Sequence, residues 1–206
     1  DGHLRVATTD GPPWGGAVES ESYVTVLRQE GDELRQVGQV GDMGRGEQIF
    51  AVRFQGDVGY VVTFEQTDPL YTLDLSDPAS PTVLGELKIL GYSAYLHPAG
   101  DGLLIGVGQD ATEEGALLGT QVSLFDVSDL ADPQRVQQAM VGGASSSGVE
   151  YDHRAFLWWP NTSTAVIPVE DYDTGFAGVI VYRITPEGIS ELGRISHTDD
   201  PTQQQD

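Results

Sequence analysis

Cysteine is missing from all 206 residues. That excludes disulfides, thiolate nucleophiles, Cys-ligated zinc and iron–sulfur clusters, while leaving the redox compartment open. Lysine is nearly missing as well: Lys88 stands alone beside nine Arg, against 32 acidic residues, for a formal charge of -22. So negative a surface repels phosphate, which rules against nucleic acid as a partner. The scarcity of Lys fits either a GC-rich coding bias or a salt-adapted surface. No apolar run reaches the length of a membrane span, and the opening DGHLRVATTD lacks the residue order of a signal peptide. No long 3.6-residue periodicity occurs, so helix content should be minor.

What the chain has is repetition. LYTLDLSDPASPTVLGEL (70–87) and VSLFDVSDLADPQRVQQA (122–139) superpose at a shift of 52, matching Asp74 with Asp126, Ser76 with Ser128, Asp77 with Asp129 and Pro81 with Pro133. A shift of 47 sets Val26 on Leu73 and Gly38 on Gly85, and a shift of 108 sets Val181 on Leu73 and Gly193 on Gly85. The third copy departs from the pattern by carrying Gln137 at the glycine position.

A period of about 50 residues suits propeller blades, each a four-stranded antiparallel sheet. Runs such as VGYVVTF (58–64), LLIGVGQ (103–109), RAFLWW (154–159) and GVIVYRI (178–184) have strand composition between Gly, Pro, Asp or Asn borders, in keeping with 26 Gly and 11 Pro. SDPASP and SDLADP read as turns between the two outer strands, Asp and Ser holding local amides and Pro fixing the bend. The predicted fold is all-β: a beta-propeller fragment of about four consecutive blades at 3–42, 48–90, 91–142 and 149–196, the first lacking its innermost strand. Residues 197–206 read as a polar tail. A missing strand predicts a piece of a longer propeller and self-association through open edges.

GRGEQIFAVRFQGDVGYVVTFEQTDPLYTLDLSDPASPTVLGELKILGYSAYLHPAGDGLLIGVGQD (44–110) and YDHRAFLWWP (151–160) resemble the bacterial and archaeal secreted proteins that carry a C-terminal beta-propeller distantly related to WD repeats. The resemblance extends over residues 3 to 198. It implies a secreted or surface-anchored, extracytoplasmic protein whose propeller continues on both sides, and it implies no enzyme activity and no catalytic residues.

Candidate chemistry is sparse. In GVEYDHRAFLWW (148–159), at the entry to the last blade, strand alternation would send Glu150 and Asp152 to one side, beside His153, where the carboxylates either bind a hard cation such as calcium or neutralise Arg154. Asp110, with Glu113 and Glu114, and the matching loop with Glu170, Asp171 and Asp173 should emerge on one rim, either as a solvated acidic surface or as a site facing one cation, with Asp110 a candidate metal ligand, or a cationic partner. His97, before Pro98, reads as a packed or turn-capping imidazole. GGASSSG (142–148) reads as a flexible connector rather than a nucleophile elbow, and Asn161-Thr162-Ser163 as a turn.

Trp158 and Trp159 must face opposite ways, one between blades. Trp14, in a Pro- and Gly-rich loop, is a candidate contact for a protein or saccharide partner. The leading reading is a non-catalytic recognition scaffold of unknown ligand. The competing one is a metal-dependent or redox propeller whose site near the central channel uses Glu150, Asp152, His153 or His97.

Overall fold

The computed structural model describes residues 2–11, 19–64 and 68–197. Trp14 and the tail beyond His197 lie outside them. Antiparallel hairpins follow one another along the chain. A three-stranded sheet of β1 (His3–Asp10), β2 (Glu21–Glu30) and β3 (Glu33–Met43) comes first. Next are β4 (Gln48–Gln55) to β7 (Thr82–Ile89), with β5 (Val58–Phe64) and β6 (Asp68–Asp74) between them. The third sheet is β8 (Tyr92–Gly100), β9 (Leu103–Ala111), β10 (Leu117–Asp126) and β11 (Gln134–Met140). In the fourth, β14 (Thr164–Asp171), β15 (Phe176–Thr185) and β16 (Gly188–Ser196) are joined by an inner strand in two pieces, β12 (Ser145–Ser146) and β13 (Leu157–Trp159). The fold is therefore a run of four propeller blades, the first with three strands. No helix among the described residues is long and apolar enough to cross a membrane.

Consecutive blades share three separate cores. Val24 and Met43 meet Val61, Tyr71 and Leu73 between blades one and two. Tyr60, Val62 and Leu70 meet Leu96, Leu104 and Phe125 between blades two and three. Ile105, Val107, Val122 and Leu124 meet Ile167, Ile180 and Tyr182 between blades three and four. Each aliphatic side chain fully buried there contributes about 1.5–3 kcal/mol.

The repeat has a structural cause. Each outer strand carries a bulge at the same place, leaving Val37, Leu84, Val136 and Leu192 without a cross-strand partner. The neighbouring Gly38, Gly85, Gln137 and Gly193 pair with Val26, Thr72, Leu124 and Val181. The ungapped shifts of 47 and 108 thus hold at the outer strand but slip by one residue at the third strand, because the intervening turns differ in length.

The glycines mark close approach. A Cβ on Gly38 would meet the Pro78 carbonyl and, at 2.9 Å, Pro81 Cδ of the following blade. One on Gly85 would meet the Leu130 carbonyl and, at 2.7 Å, Pro133 Cδ. The Asp-Pro turns of blades two and three therefore dock into the preceding outer strands. They are built alike: Asp74 accepts from Ser76 N at 2.8 Å and Asp77 from Ala79 N at 3.0 Å, as Asp126 accepts from Ser128 N at 2.9 Å and Asp129 from Ala131 N at 2.9 Å.

Gln137 departs because the fourth blade's turn, 186–187, is short. Its side-chain amide fills the gap, accepting from Ile189 N at 2.9 Å and donating to Ile189 O at 3.1 Å. A Cβ on Gly193 would meet nothing within 4 Å.

Two local expectations are corrected. RAFLWW is strand only from Leu157, and GGASSSG is no flexible connector, since Ser145 and Ser147 are buried. Between the two strand pieces, residues 148–150 and 153–155 form 3₁₀ turns. Capping overrides strand composition: Ser147 Oγ accepts from Val149 N, Ser147 N donates to Glu150, and Asp152 accepts from Arg154 N.

Candidate functional site

In an up-and-down propeller sheet, the inter-blade connections and the loops between second and third strands emerge on one rim. The broken inner strand of blade four opens onto this rim. Ser145 pairs with Asp171 and Ser146 with Glu170, and Tyr172 N donates to Ala144 O at 2.8 Å. The chain then leaves the sheet, and Ser147 Oγ donates to Pro168 O at 2.7 Å in place of the lost ladder. The capping turn swings Glu150 back against blade three.

There Glu150 Oε1 accepts from Gln109 Nε2 at 2.6 Å and from Ser147 N at 3.0 Å, while Oε2 accepts from Tyr92 OH at 3.3 Å. Gln109 Nε2 also donates to Ser145 O at 3.3 Å, and the Gln109 backbone carbonyl accepts from Gln121 Nε2 at 2.8 Å. A cleft of about 410 Å³ lies over this network, lined among others by Tyr92, Gln109, Leu117, Glu150, Tyr151 and Tyr172. Tyr151 is 86% exposed and Tyr172 67%. Tyr172 OH donates to Glu170 Oε2 at 3.0 Å and lies 3.3 Å from Ser146 Oγ. A second hollow, of about 520 Å³, shares Ser146, Tyr151 and Tyr172 and runs along Pro168 and Val179 to His197.

The other predicted residues go elsewhere. With 3₁₀ turns in place of a strand, Glu150 and Asp152 do not share a strand face. Asp152 binds Arg154, taking Nε at 3.0 Å and Nη2 at 3.2 Å, and these bonds hold its carboxyl below the ordinary value. The His153 ring packs on Tyr95 at 4.9 Å. Asp110 lies on β9 opposite Gly119. Among the described residues no three His, Asp or Glu side chains are grouped as metal ligands.

His97 Nδ1 lies 3.0 Å from Tyr95 OH, and its ring contacts Phe156 at 5.0 Å. Burial, reinforced by the Arg53 charge, lowers its pKa. Trp158 packs on the core between blades three and four, whereas Trp159 is 54% exposed.

The acidic rim is partly architecture. Asp171 accepts from Asp173 N at 3.0 Å and Thr174 N at 3.3 Å, and Asp173 accepts from Ala144 N at 3.1 Å. Sequence reasoning missed Tyr92, Gln109, Tyr151 and Tyr172. One signal was at hand: Ser147-Gly-Val-Glu150 has the S-x-x-E spacing of a capping box, which turns the chain inward.

Known proteins match this architecture. An uncharacterized protein of Methanocaldococcus jannaschii is 44% identical over 158 residues, covering 77% of this chain and 24% of its own length. One of Archaeoglobus fulgidus is 43% identical over 157 residues, covering 76% and 23%. The chain thus spans about a quarter of these relatives.

Among solved structures, Chaetomium thermophilum Sqt1, bound to the N-terminus of the ribosomal protein L10, superposes with a TM-score of 0.59 at 15% identity, over 97% of this chain and 49% of that one. Saccharomyces cerevisiae Sqt1 gives 0.50 at 9% identity, over 86% and 48%. These two likenesses concern the fold. The beta propeller domain family model matches residues 1–206, and the chain belongs to that family.

Proposed function

We propose that the chain is a recognition segment of a larger extracytoplasmic propeller protein, holding a protein partner on its acidic rim without turning over a substrate. The observation that carries this reading is the cleft at the broken strand of blade four, with Tyr151 and Tyr172 exposed over a hydrogen-bonded floor. Exposed tyrosines on a rigid frame offer contact area at low ordering cost, which is how partner-binding loops work. Sqt1, of the same fold, is described bound to a ribosomal protein terminus, a precedent for a propeller taking a protein segment. The extracytoplasmic placement rests on the resemblance to secreted propeller proteins.

The competing metal or redox reading needs Glu150, Asp152 and His153 to converge. Their engagement with Gln109, Arg154 and Tyr95 favours recognition instead.

The test is retention of envelope proteins from the source cells by the immobilised chain, followed by reconstitution from two purified components. A defined pair that binds the native chain and is lost on combined Tyr151→Ala and Tyr172→Ala, with unchanged melting temperature, supports the reading. A pair indifferent to both substitutions, or turnover of a substrate at the cleft, overturns it.

A further inference from the structure

We infer that the cleft under Tyr151 and Tyr172 receives a cationic side chain, the guanidinium of an arginine, from the bound protein. The inference rests on the recognition reading and names the chemistry of its contact.

It starts from Glu150. This partly buried carboxylate accepts three hydrogen bonds, all from neutral donors: the Gln109 amide, the Ser147 N–H and the Tyr92 hydroxyl. Among the described residues no Lys, Arg or His makes an ion pair with it. The nearby arginines of blade four are engaged elsewhere, Arg154 with Asp152 and Arg194 with Glu191. A carboxylate drawn partly out of water is stabilised by a cation more than by neutral donors alone. No described residue supplies that cation.

The lining selects its kind. Three tyrosines, Tyr92, Tyr151 and Tyr172, border the cleft. Aromatic faces attract organic cations, guanidinium above all, and provide apolar surface for the side-chain stem. A hard divalent ion is served poorly, since it requires six or more oxygen ligands. Oε1 already holds two N–H donors, which leaves Oε2, shared with Tyr92, as the acceptor with room. A planar fork of N–H donors fits that need; Glu170, bonded to Tyr172, lines the neighbouring hollow.

The experiment uses the intact chain and acetyl-Gly-Arg-Gly-amide, with the neutral citrulline peptide as control, followed by amide chemical shifts. The arginine peptide is expected to bind with a dissociation constant of about 1 mM. Its shifts should centre on the Gln109 side-chain amide and the Ser147 N–H, and the citrulline peptide should bind at least about tenfold more weakly. Glu150→Gln, which keeps an acceptor for the Ser147 cap, should also cost about tenfold. Tyr151→Ala reads the same site at a side chain too exposed to affect folding.

Equal binding of the two peptides, shifts scattered over the acidic surface, or binding unchanged by both variants would overturn the inference. So would no shift at ten times the expected constant. A partner that binds through Tyr151 and Tyr172 yet ignores Glu150→Gln sinks this inference and leaves the recognition reading standing. An arginine site with no protein partner does the reverse.

Discussion

A buried tyrosine and a half-buried histidine differ in what they lost on leaving solvent. Tyr182 is 1% exposed in the core between blades three and four, and its hydroxyl finds no hydrogen-bond partner among the described residues. Burial pushes its pKa up to about 12. An unsatisfied buried hydroxyl is a cost, so Tyr182→Phe should leave stability unchanged or raise it by up to about 1 kcal/mol, read from urea unfolding.

His97 carries its cost in charge. Its lowered pKa means that the unfolded chain takes up a proton more readily than the folded one. The stability it contributes is complete above the unfolded value near pH 6.5 and is lost as pH falls below it. His97→Gln should therefore flatten the decline in melting temperature between pH 7.5 and pH 5. An unchanged slope would show that other groups control acid sensitivity.

The repeated glycine is read at the level of strands and turns. Gly85→Ala drives a methyl group into the Leu130 carbonyl and Pro133, and should destabilise by about 1–3 kcal/mol. Gly193→Ala, at the matching position with open space around it, should be neutral or slightly favourable, since Ala loses less chain entropy in a strand. Equal effects in the two variants would show that turn docking is not what the glycine serves.

These turns and outer strands were legible because the same contact recurs, so Asp77 and Pro81 reappear as Asp129 and Pro133. The broken inner strand was not. RAFLWW has strand composition, but Ser147 and Asp152 supply local amide acceptors that composition does not weigh. The cleft was illegible for another reason: Tyr92 and Gln109 meet Glu150 across 58 and 41 residues of chain, and only blade stacking joins them. Glu150 was found as a carboxylate, but its neighbours and role were not.

Across the whole molecule the dominant electrostatic fact is the charge of -22. Surface carboxylates repel one another over roughly the 10 Å screening length of dilute salt, so sodium chloride should raise the melting temperature steadily. Calcium chloride at matched ionic strength should add nothing more. A further rise reversed by a chelator would reveal a specific calcium site through preferential binding to the folded state.

Blade stacking also has a direction. Blades two and three present a proline turn to the blade before them, while a glycine on the outer strand of blades one and two accepts the turn of the blade after. Donor and acceptor are different surfaces, so contact by this device is head-to-tail. A two-fold interface, which sets a surface against itself, cannot use it.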